Sequence, residues 1–483
     1  YNIIKKRKLF KRGILEYRIL KPQNLFLLLC LVAGMAMVFI NPPFQTSDEG
    51  SHFYKIYGYV EGSLNFKKIT VNKEGRSLTF SGQILPSGIV RAVSLYGEMS
   101  LDAGKKTSFN KTVKMLSLPL EKDKKVFIAY PVPFYMPFAY FLSVPLVWVL
   151  SLFNSPPLFM LYACRLCSLL TYAVIVYYAI KIVPFKKHMF AFIGLLPMAV
   201  YTAASVSADG MTNALALLFC AYVFMLAYKK ETPLSECLIN KKQMFILCLI
   251  FFLLMLCKFA YFPLVFMFFL IPSERFKSHQ SRYLSFCVLF GLGMIQVCFL
   301  LVYHMFVTQG IVSFASTLDK TELFIKAVMH PLSYMLLVFR TILINGFGYL
   351  VESIGSFGWD TVKIPPVFAA ASYAVLFAGA VVNCGEQALS VRFKDRIILI
   401  ISALLSVFVT MSVCYLLFTY MPAQKVIDNF QGRYLLPLLP LGLVVFSFKK
   451  FCFKTNVFRY FTVIVSCILM IVSAVEIVKR FYI

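Results

Sequence analysis

Two carboxylates and a histidine follow the first long apolar run of the sequence, at Asp48, Glu49 and His52. The pair Pro42-Pro43 ends the preceding helix, because proline lacks the N–H and clashes with the turn before it. A new helix after this turn places Asp48 and His52 one turn apart on the same face. A carboxylate held there can accept a proton from a hydroxyl group. The spacing therefore predicts general-base chemistry by Asp48 at the edge of the first span.

A helix that merely starts at this point explains the same residues without chemistry. Thr46 or Ser47 can cap the helix, and Thr46 with Glu49 matches the capping-box pattern. Asp48 then only interacts favourably with the helix dipole, and His52 only orients Asp48. Both interpretations stay open for Glu49, whereas the setting of Asp48 among other polar residues favours the chemical one.

The composition is that of a membrane protein. Hydrophobic residues make up 60% of the chain and charged residues only 14%, where a soluble domain has about 25% charged residues. Apolar runs of spanning length recur from residue 25 to the end, so we expect an all-α polytopic protein in the lipid bilayer. The net charge of +27 does not indicate nucleic acid, because Lys and Arg cluster in short loops between apolar runs.

The cysteines do not indicate a metal site. Most of the 13 cysteines lie inside apolar runs, and none shows paired zinc-type spacing. Cys164 and Cys167 are the one near pair, and both fall within a span, where small core residues are the better interpretation. No cofactor is predicted, although a divalent cation is left open.

The positions of the basic clusters predict about eleven spans. The predicted organisation is residues 1–24 as a cytoplasmic basic N-terminus, 25–40 as the first span, 41–157 as the first extracytoplasmic loop with interfacial helices, 158–307 as transmembrane helices, 308–365 as an extracytoplasmic loop with an interfacial helix, and 366–483 as C-terminal transmembrane helices. Every short basic cluster then lies inside except the final Lys479-Arg480.

Several segments carry more specific expectations. The sequence of residues 62–125 predicts a small insertion that contains strands. Residues 134–153 predict a helix that lies in the outer leaflet or dips into it. Residues 189–204 are expected to form one span, and residues 258–261 a tight outer turn. Residues 332–351 are apolar but include Arg340, Asn345 and, just beyond, Glu352, which favours an interfacial helix.

In this topology a set of ionisable residues collects at the outer membrane face. They are Asp48, Glu49, His52, Asp209, Lys258, Arg340, Asp360 and Arg433. Ionisable residues at that depth are costly unless they pair or line a cavity. Cations there could hold a lipid phosphate and stabilise its departure, while a carboxylate accepts the proton of an acceptor hydroxyl.

Each further candidate also has a simpler interpretation. Asp209 could be only a helix N-cap, and Lys258 could only snorkel from a helix end. Arg433 could pair nonspecifically with lipid headgroups. Arg165 is expected to balance an internal carboxylate or carbonyl. Trp359 could stack on a sugar, but an interfacial anchor is the safer interpretation.

Five motifs resemble a known clan. The first loop resembles the Asp-Glu loop of the GT-C glycosyltransferases, notably the protein O-mannosyltransferases. The motifs are Pro42-Pro43 with Asp48-Glu49-x-x-His52, Tyr130-Pro-x-Pro-Phe-Tyr135, Ser205-x-Ser-x-Asp209, Gly358-Trp-Asp360 and Gly432-Arg-Tyr-Leu-Leu-Pro437. In this order they resemble a bacterial family of uncharacterised membrane proteins within that clan, and the match runs nearly end to end.

The resemblance implies a GT-C-like fold and an inverting transferase at the outer face of the plasma membrane. Its donor would be a polyprenyl-phosphate sugar, and its acceptor a cell-surface glycan or another extracytoplasmic molecule. Asp48 would be the general base, supported by Glu49. The candidate substrate-binding residues are His52, Arg165, Asp209, Lys258, Arg340, Trp359, Asp360, Arg433 and Tyr434. The long basic loop at residues 62–125 departs from the clan and leaves acceptor recognition open.

Two other functions fit the same sequence. A flippase for a lipid-linked sugar predicts inverted repeats and charges near the bilayer midplane, and the sequence shows no convincing repeat. A polysaccharide polymerase or ligase, which joins preassembled glycans, stays open.

Overall fold

The computed structural model describes most of the chain in one fold. The described residues are 20–63, 67–73, 76–102, 104–130, 136–228, 238–308, 320–382, 391–419, 424–447 and 455–483. Several parts of the sequence-based prediction lie outside them. They are the basic stretch at residues 1–19, residues 64–66, 74–75 and 103 of the predicted insertion, residues 131–135 of the proline-rich motif and residues 309–319 of the second predicted loop.

Helices make up most of the described chain. They are α1 Pro22–Ile40, α2 Glu49–Val60, α3 Ser87–Leu101, α4 Phe109–Met115, α5 Ser143–Leu152, α6 Pro157–Ile182, α7 Lys187–Gly194, α8 Pro197–Ala203, α9 Ala208–Tyr228, α10 Lys241–Cys257, α11 His279–Thr308, α12 Lys320–Met329, α13 Pro331–Gly355, α14 Pro366–Val381, α15 Phe393–Phe418, α16 Leu439–Val444 and α17 Thr455–Phe481. The 3₁₀ helices are Pro137–Tyr140, Phe259–Leu270, Ser273–Arg275 and Gly432–Leu438.

The expected polytopic α-helical architecture is confirmed at this level. Among the described residues, seven helices are long and apolar enough to cross a membrane, namely α1, α6, α9, α11, α13, α15 and α17. Shorter apolar helices lie at α5, Phe259–Leu270, α14 and Gly432–Val444. Helix α9 is the central one, since 83% of its most apolar window is buried, against 22% for α13. A helix that is apolar all round is stable in such a buried position, and α9 packs between α6 and α10.

The prediction of one span over residues 189–204 is wrong. The structure has two short helices there, α7 and α8, which are separated at Leu195 and Leu196. Pro197 is the cause, because it lacks the N–H needed to continue a helix and holds the residue before it in an extended conformation.

A turn at residues 258–261 is confirmed, because the Tyr261 N–H donates to the Lys258 carbonyl at 3.3 Å. The chain then returns beside α10, and the Ile239 N–H donates to the Arg275 carbonyl at 2.8 Å. Helix α10 ends at Cys257, Lys258 is extended, and the chain continues as the 3₁₀ helix Phe259–Leu270. Pro263 lies inside this segment and cannot donate to a regular α-helical ladder. A 3₁₀ run of this length is uncommon, and it packs against α15.

Helix α13 covers the segment that was expected to lie in the interface. It is continuous over 25 residues, which corresponds to about 38 Å and exceeds the hydrocarbon core of a bilayer. Its composition and length are those of a membrane-crossing helix. Arg340 lies on its exposed surface.

The strands expected within residues 62–125 are present. Strands β1 Lys67–Lys73, β2 Arg76–Pro86 and β3 Lys125–Ala129 form an antiparallel sheet in that order. Ile69 pairs with Phe80, and Ile84 pairs with Phe127. A second antiparallel pair, β4 Ser356–Phe357 and β5 Val362–Lys363, follows α13.

The segment from β1 to β3, which we call the small sheet domain, is joined to the last helix, α17. The Thr107 N–H donates to the Phe481 carbonyl at 2.7 Å. The Arg480 guanidinium donates to the carbonyls of Lys105 and Met99, each at 3.0 Å. Carbonyl oxygens near the small domain therefore satisfy the Arg480 guanidinium at the end of α17.

Candidate active site

Asp48 lies at the start of α2 in a left-handed backbone conformation, with φ of 63°. The structure excludes the alternative interpretation of Thr46 and Glu49 as a capping box. Asp48 is the N-cap but makes no side-chain capping bond, and the Thr46 hydroxyl instead accepts from the Asn41 amide at 2.9 Å. The N–H of His52 donates to the Asp48 carbonyl at 2.9 Å. The Asp48 carboxylate therefore makes no capping bond to the helix end and stays available, because the left-handed backbone turns its side chain away from the capping position.

Glu49 forms a bidentate ion pair with Arg165, and both side chains are fully buried. The distances are 2.8 Å from Nε to Oε1 and 2.6 Å from Nη2 to Oε2. The same guanidinium also donates to three carbonyls at the end of α1: Val38, Asn41 and Pro42. The Val206 N–H adds a third bond to Glu49, at 3.0 Å. The pair thus joins α1, α2, α6 and the segment before α9, and neither side chain is open to a ligand.

A second charged group forms around Asp209. One carboxylate oxygen accepts from Lys258 Nζ at 2.9 Å, and the other lies 2.8 Å from Arg433 Nε. Arg433 Nη2 lies 3.9 Å from an Asp48 carboxylate oxygen. That separation is too long for a direct hydrogen bond but short enough for a strong Coulombic interaction. We call Asp48, Asp209, Lys258 and Arg433 the acid–base cluster.

Asp48 is the accessible member of the acid–base cluster. Its side chain retains 39% of its surface, against 9% for Arg433, 10% for Asp209 and 14% for Lys258. Lys258 Nζ also lies 3.8 Å from the ring centroid of Tyr434, a distance at which the ring stabilises a cation. The cations are therefore held in place while the Asp48 carboxylate faces outward.

The protonation states around Asp48 differ from those in water. Burial raises the pKa of the Asp48 carboxyl above its ordinary 3.8, and the Arg433 charge opposes this shift. Burial lowers the pKa of His52 to about 3, so its imidazole is neutral. Nδ1 of His52 pairs with the Tyr140 hydroxyl.

Arg433 is positioned by α13. The N–H of Gly432 donates to a Glu352 carboxylate oxygen at 3.0 Å. A Cβ at position 432 would lie 2.1 Å from the Tyr349 carbonyl oxygen, so only glycine allows this approach. Glu352 was not assigned to the site from the sequence. The sequence feature that could have indicated Glu352 is its place near the end of an apolar run, because burying a carboxylate there is costly unless it has a partner.

The Gly358-Trp359-Asp360 motif forms the turn between β4 and β5, and it packs on the loop before Asp48. The Ser47 hydroxyl donates to the Gly358 carbonyl at 2.8 Å. The Gly358 N–H donates to the Tyr201 hydroxyl at 3.0 Å. Asp360 accepts from Ser356 at 2.9 Å, and Trp359 is exposed. Tyr201 was not singled out from the sequence, because its hydroxyl gave no signal before its partners were known.

Arg340 is not brought to the acid–base cluster. It lies 12 residues before Glu352 on the same helix, which corresponds to about 18 Å along the axis. The candidate substrate-binding residues thus divide into four groups. Asp209, Lys258, Arg433 and Tyr434 lie around Asp48. His52 lies one turn along α2 and pairs with Tyr140. Trp359 and Asp360 adjoin the loop before Asp48, and Arg165 and Arg340 lie elsewhere.

The described ranges contain no group of three or more His, Cys, Asp or Glu side chains that could hold a metal ion. Within those ranges the cluster therefore offers two carboxylates and two cations rather than a metal-ligand set.

Fold and site together define a polytopic α-helical membrane protein with an acid–base cluster where α2, α9 and two 3₁₀ helices meet. The model of the family described as predicted membrane protein (DUF2142) matches residues 31–442. The chain belongs to that family, and the matched range includes the whole acid–base cluster. Searches among curated proteins and among solved structures give no match.

Proposed function

We propose that this protein is an inverting glycosyltransferase that moves a sugar from a polyprenyl-phosphate donor to a hydroxyl of an extracytoplasmic glycan or other acceptor. The observation that carries the proposal is the accessible Asp48 carboxylate facing Arg433 at 3.9 Å, beside a second held cation, Lys258. This arrangement combines a base with charge stabilisation for a leaving phosphate.

The proposed reaction uses each member of the acid–base cluster. Asp48 accepts the proton of the acceptor hydroxyl while that oxygen bonds to the anomeric carbon of the sugar. The bond between the anomeric carbon and the phosphate oxygen breaks, and the phosphate leaves with the electron pair. Lys258 and Arg433 stabilise its negative charge. Attack from the face opposite the phosphate inverts the anomeric configuration.

Asp209, Glu49 and Arg165 have positioning roles in this proposal. Asp209 holds both cations, which keeps them at fixed distances from Asp48. The Glu49–Arg165 pair sets the start of α2 and hence the position of Asp48. Fixed dipoles and charges of this kind need no rearrangement during the reaction.

We further propose a GT-C-like arrangement of about eleven membrane segments in the plasma membrane, with the acid–base cluster on the extracytoplasmic side. The seven long apolar helices support a polytopic arrangement, and the number of about eleven comes from the spacing of the short basic loops. The short basic loops supply the orientation.

The proposal is tested with purified protein and short-chain polyprenyl-phosphate sugars, with donor consumption followed by mass spectrometry. Asp48→Asn removes the base, so we expect transfer to fall at least 100-fold while the donor still binds. Glu98→Gln changes an exposed carboxylate on the small domain and serves as the matched control. Full transfer by the Asp48→Asn protein would exclude the proposed mechanism.

A further inference from the structure

Helix α4 of the small sheet domain carries exposed apolar side chains. Phe109 is 51% exposed and Val113 is 64% exposed, and their spacing of four residues puts them on one face of the helix. Asn110 and Lys114 are also exposed and lie on the neighbouring face. The exposed surface of α4 is therefore amphipathic, and the mechanism proposed above does not use it.

The inward side of α4 is fixed to the rest of the protein. Thr112 is buried, and its hydroxyl accepts from the Tyr96 hydroxyl at 3.2 Å. The Tyr96 carbonyl accepts in turn from the side-chain amide of Gln45, in the loop before α2, at 2.8 Å. Because these bonds set the orientation of α4, its exposed apolar face stays on the outside of the domain.

The end of α17 places α4 at the surface of the membrane. Helix α17 is long and apolar enough to cross a membrane. It has 27 residues, about 40 Å, which exceeds the hydrocarbon core of a bilayer, so its last turn reaches the headgroups. The Thr107 N–H donates to the carbonyl of Phe481, the last residue of α17. The Phe109 ring stacks on Tyr482, the next residue, with ring centroids 4.4 Å apart. Helix α4 therefore begins at the level of the headgroups.

An exposed apolar stripe of α17 leads to the same place. Spacings of four, three and four residues keep four exposed side chains on one face of the helix, and the same face continues to Tyr482. These side chains are Ile464, Ile468, Ile471 and Val475. A helix that crosses a membrane presents such a face to the acyl chains of the lipid. Phe109 and Val113 thus extend an apolar, lipid-facing surface beyond the end of the span.

We infer that α4 is an interfacial anchor. Phe109 and Val113 insert at the boundary between headgroups and acyl chains, in the leaflet on the side of the acid–base cluster, and Lys114 reaches the lipid phosphates. Apolar side chains on one face and lysine on the other are the composition of helices that lie in this plane. A lysine side chain also extends over apolar surface while its ammonium group stays at the headgroups. This contact with lipid goes beyond the proposed function and does not depend on sugar transfer.

The test places benzoylphenylalanine, a photocrosslinking amino acid, at Val113 of the full-length protein in nanodiscs of phosphatidylcholine and phosphatidylglycerol. Phe109 is a second probe position, where one aromatic side chain replaces another. Ser94 takes the same probe as the matched control, because it is exposed on the face of α3 opposite the buried Tyr96. After illumination, mass spectrometry of the peptides identifies lipid adducts, and gel electrophoresis identifies crosslinked dimers of the chain.

We expect the lipid adducts at Val113 and at Phe109 to exceed those at Ser94 at least fivefold. Val113→Asp should lower the adduct at Phe109 threefold or more, because a carboxylate among acyl chains is costly. Asn110→Asp adds the same charge on the polar face and should leave that adduct unchanged. Equal lipid adducts at Val113 and Ser94, or dimers in place of lipid adducts, would overturn the inference. If the adducts form but Asp48→Asn retains full transfer, only the proposed mechanism fails.

Discussion

Asp48 is defined by its surroundings rather than by its place in the helix. Its carboxylate makes no capping bond, remains accessible and faces Arg433. Glu49, the next residue, is fully buried against Arg165. Two adjacent carboxylates therefore have different roles, because α2 directs one toward the interior and leaves the other at the surface of the site.

The raised pKa of Asp48 leads to a pH prediction. A general base must be ionised, so we expect kcat/KM to rise with pH through a midpoint above 3.8, the ordinary value for Asp. The folded protein also binds this proton more tightly than the unfolded chain, so this group lowers the free energy of unfolding as pH rises through the same range. The measurement is the transfer rate between about pH 4 and 8.

His52 should contribute no inflection near pH 6.5 to the profile, because burial lowers its pKa to about 3. If kcat/KM instead shows an inflection near pH 6.5, and this inflection disappears in His52→Asn, then the histidine and not Asp48 controls the reaction.

The Glu49–Arg165 pair leads to a stability prediction. Glu49→Gln leaves a fully buried guanidinium without its counter-charge, and loss of one partner of such a pair costs about 3–5 kcal/mol. We expect a lower melting temperature in detergent, whereas Asp48→Asn should melt close to the wild type. An unchanged melting temperature with abolished transfer would instead give Glu49 a direct role in catalysis.

At the level of secondary structure, the acid–base cluster depends on elements that depart from regular helices. Arg433 follows a glycine in the 3₁₀ helix Gly432–Leu438, and Lys258 occupies the extended break between α10 and the 3₁₀ helix Phe259–Leu270. A cation at an interrupted helix can point across the helix end. The prolines inside both 3₁₀ segments explain the interruptions.

Gly432→Ala tests this positioning. The new Cβ would lie 2.1 Å from the Tyr349 carbonyl oxygen, and a backbone atom cannot yield cheaply, so the segment that carries Arg433 must shift. We expect transfer to fall about 100-fold, as a 1 Å displacement of a catalytic group can cause.

Gly442→Ala is the matched control, because a Cβ at this position would meet no atom within 4 Å. This change in α16 should leave transfer intact and slightly favour the helix. Equal activity of the two variants would show that the position of Arg433 does not matter for the reaction.

For the whole molecule, the structure joins the small sheet domain to the end of α17. Lys106 Nζ donates to the carbonyls of Lys479 and Arg480, at 2.9 and 2.8 Å, and the Phe109 and Tyr482 rings stack at 4.4 Å. These contacts hold the C-terminal end of α17 against the domain that follows the Asp48 loop. The C-terminal end of α17 is therefore fixed on the same side of the molecule as the candidate site.

This arrangement predicts the sidedness of labelling. Helix α6 has 26 residues, about 39 Å, so its two ends lie on opposite faces of a bilayer. We expect Lys106→Cys to react with a membrane-impermeant maleimide on intact cells, and Lys181→Cys, at the far end of α6, to react only after permeabilisation. Reaction of both on intact cells would contradict the proposed orientation.

The amino-acid order alone is enough to predict the class of fold and all four members of the acid–base cluster. Apolar runs predict spans because spanning length is a local property, and isolated charges beside such runs indicate function because their burial is costly. On these grounds Asp48, Asp209, Lys258 and Arg433 were all singled out. Arg340 was singled out by the same reasoning and lies outside the cluster, since charge alone does not show which helix face a residue occupies.

Long-range packing decides which of these residues meet and how the chain bends to bring them together. Glu49 and Arg165 are 116 positions apart, and no local pattern pairs them. The break at Pro197 and the 3₁₀ helix Phe259–Leu270 have local causes in their prolines. The continuous α13 differs from expectation because its Glu352 is paired with Gly432 and Lys363, which lie on later segments. Such contacts between distant segments have free energies comparable to the local preferences that the sequence reveals and can therefore override them.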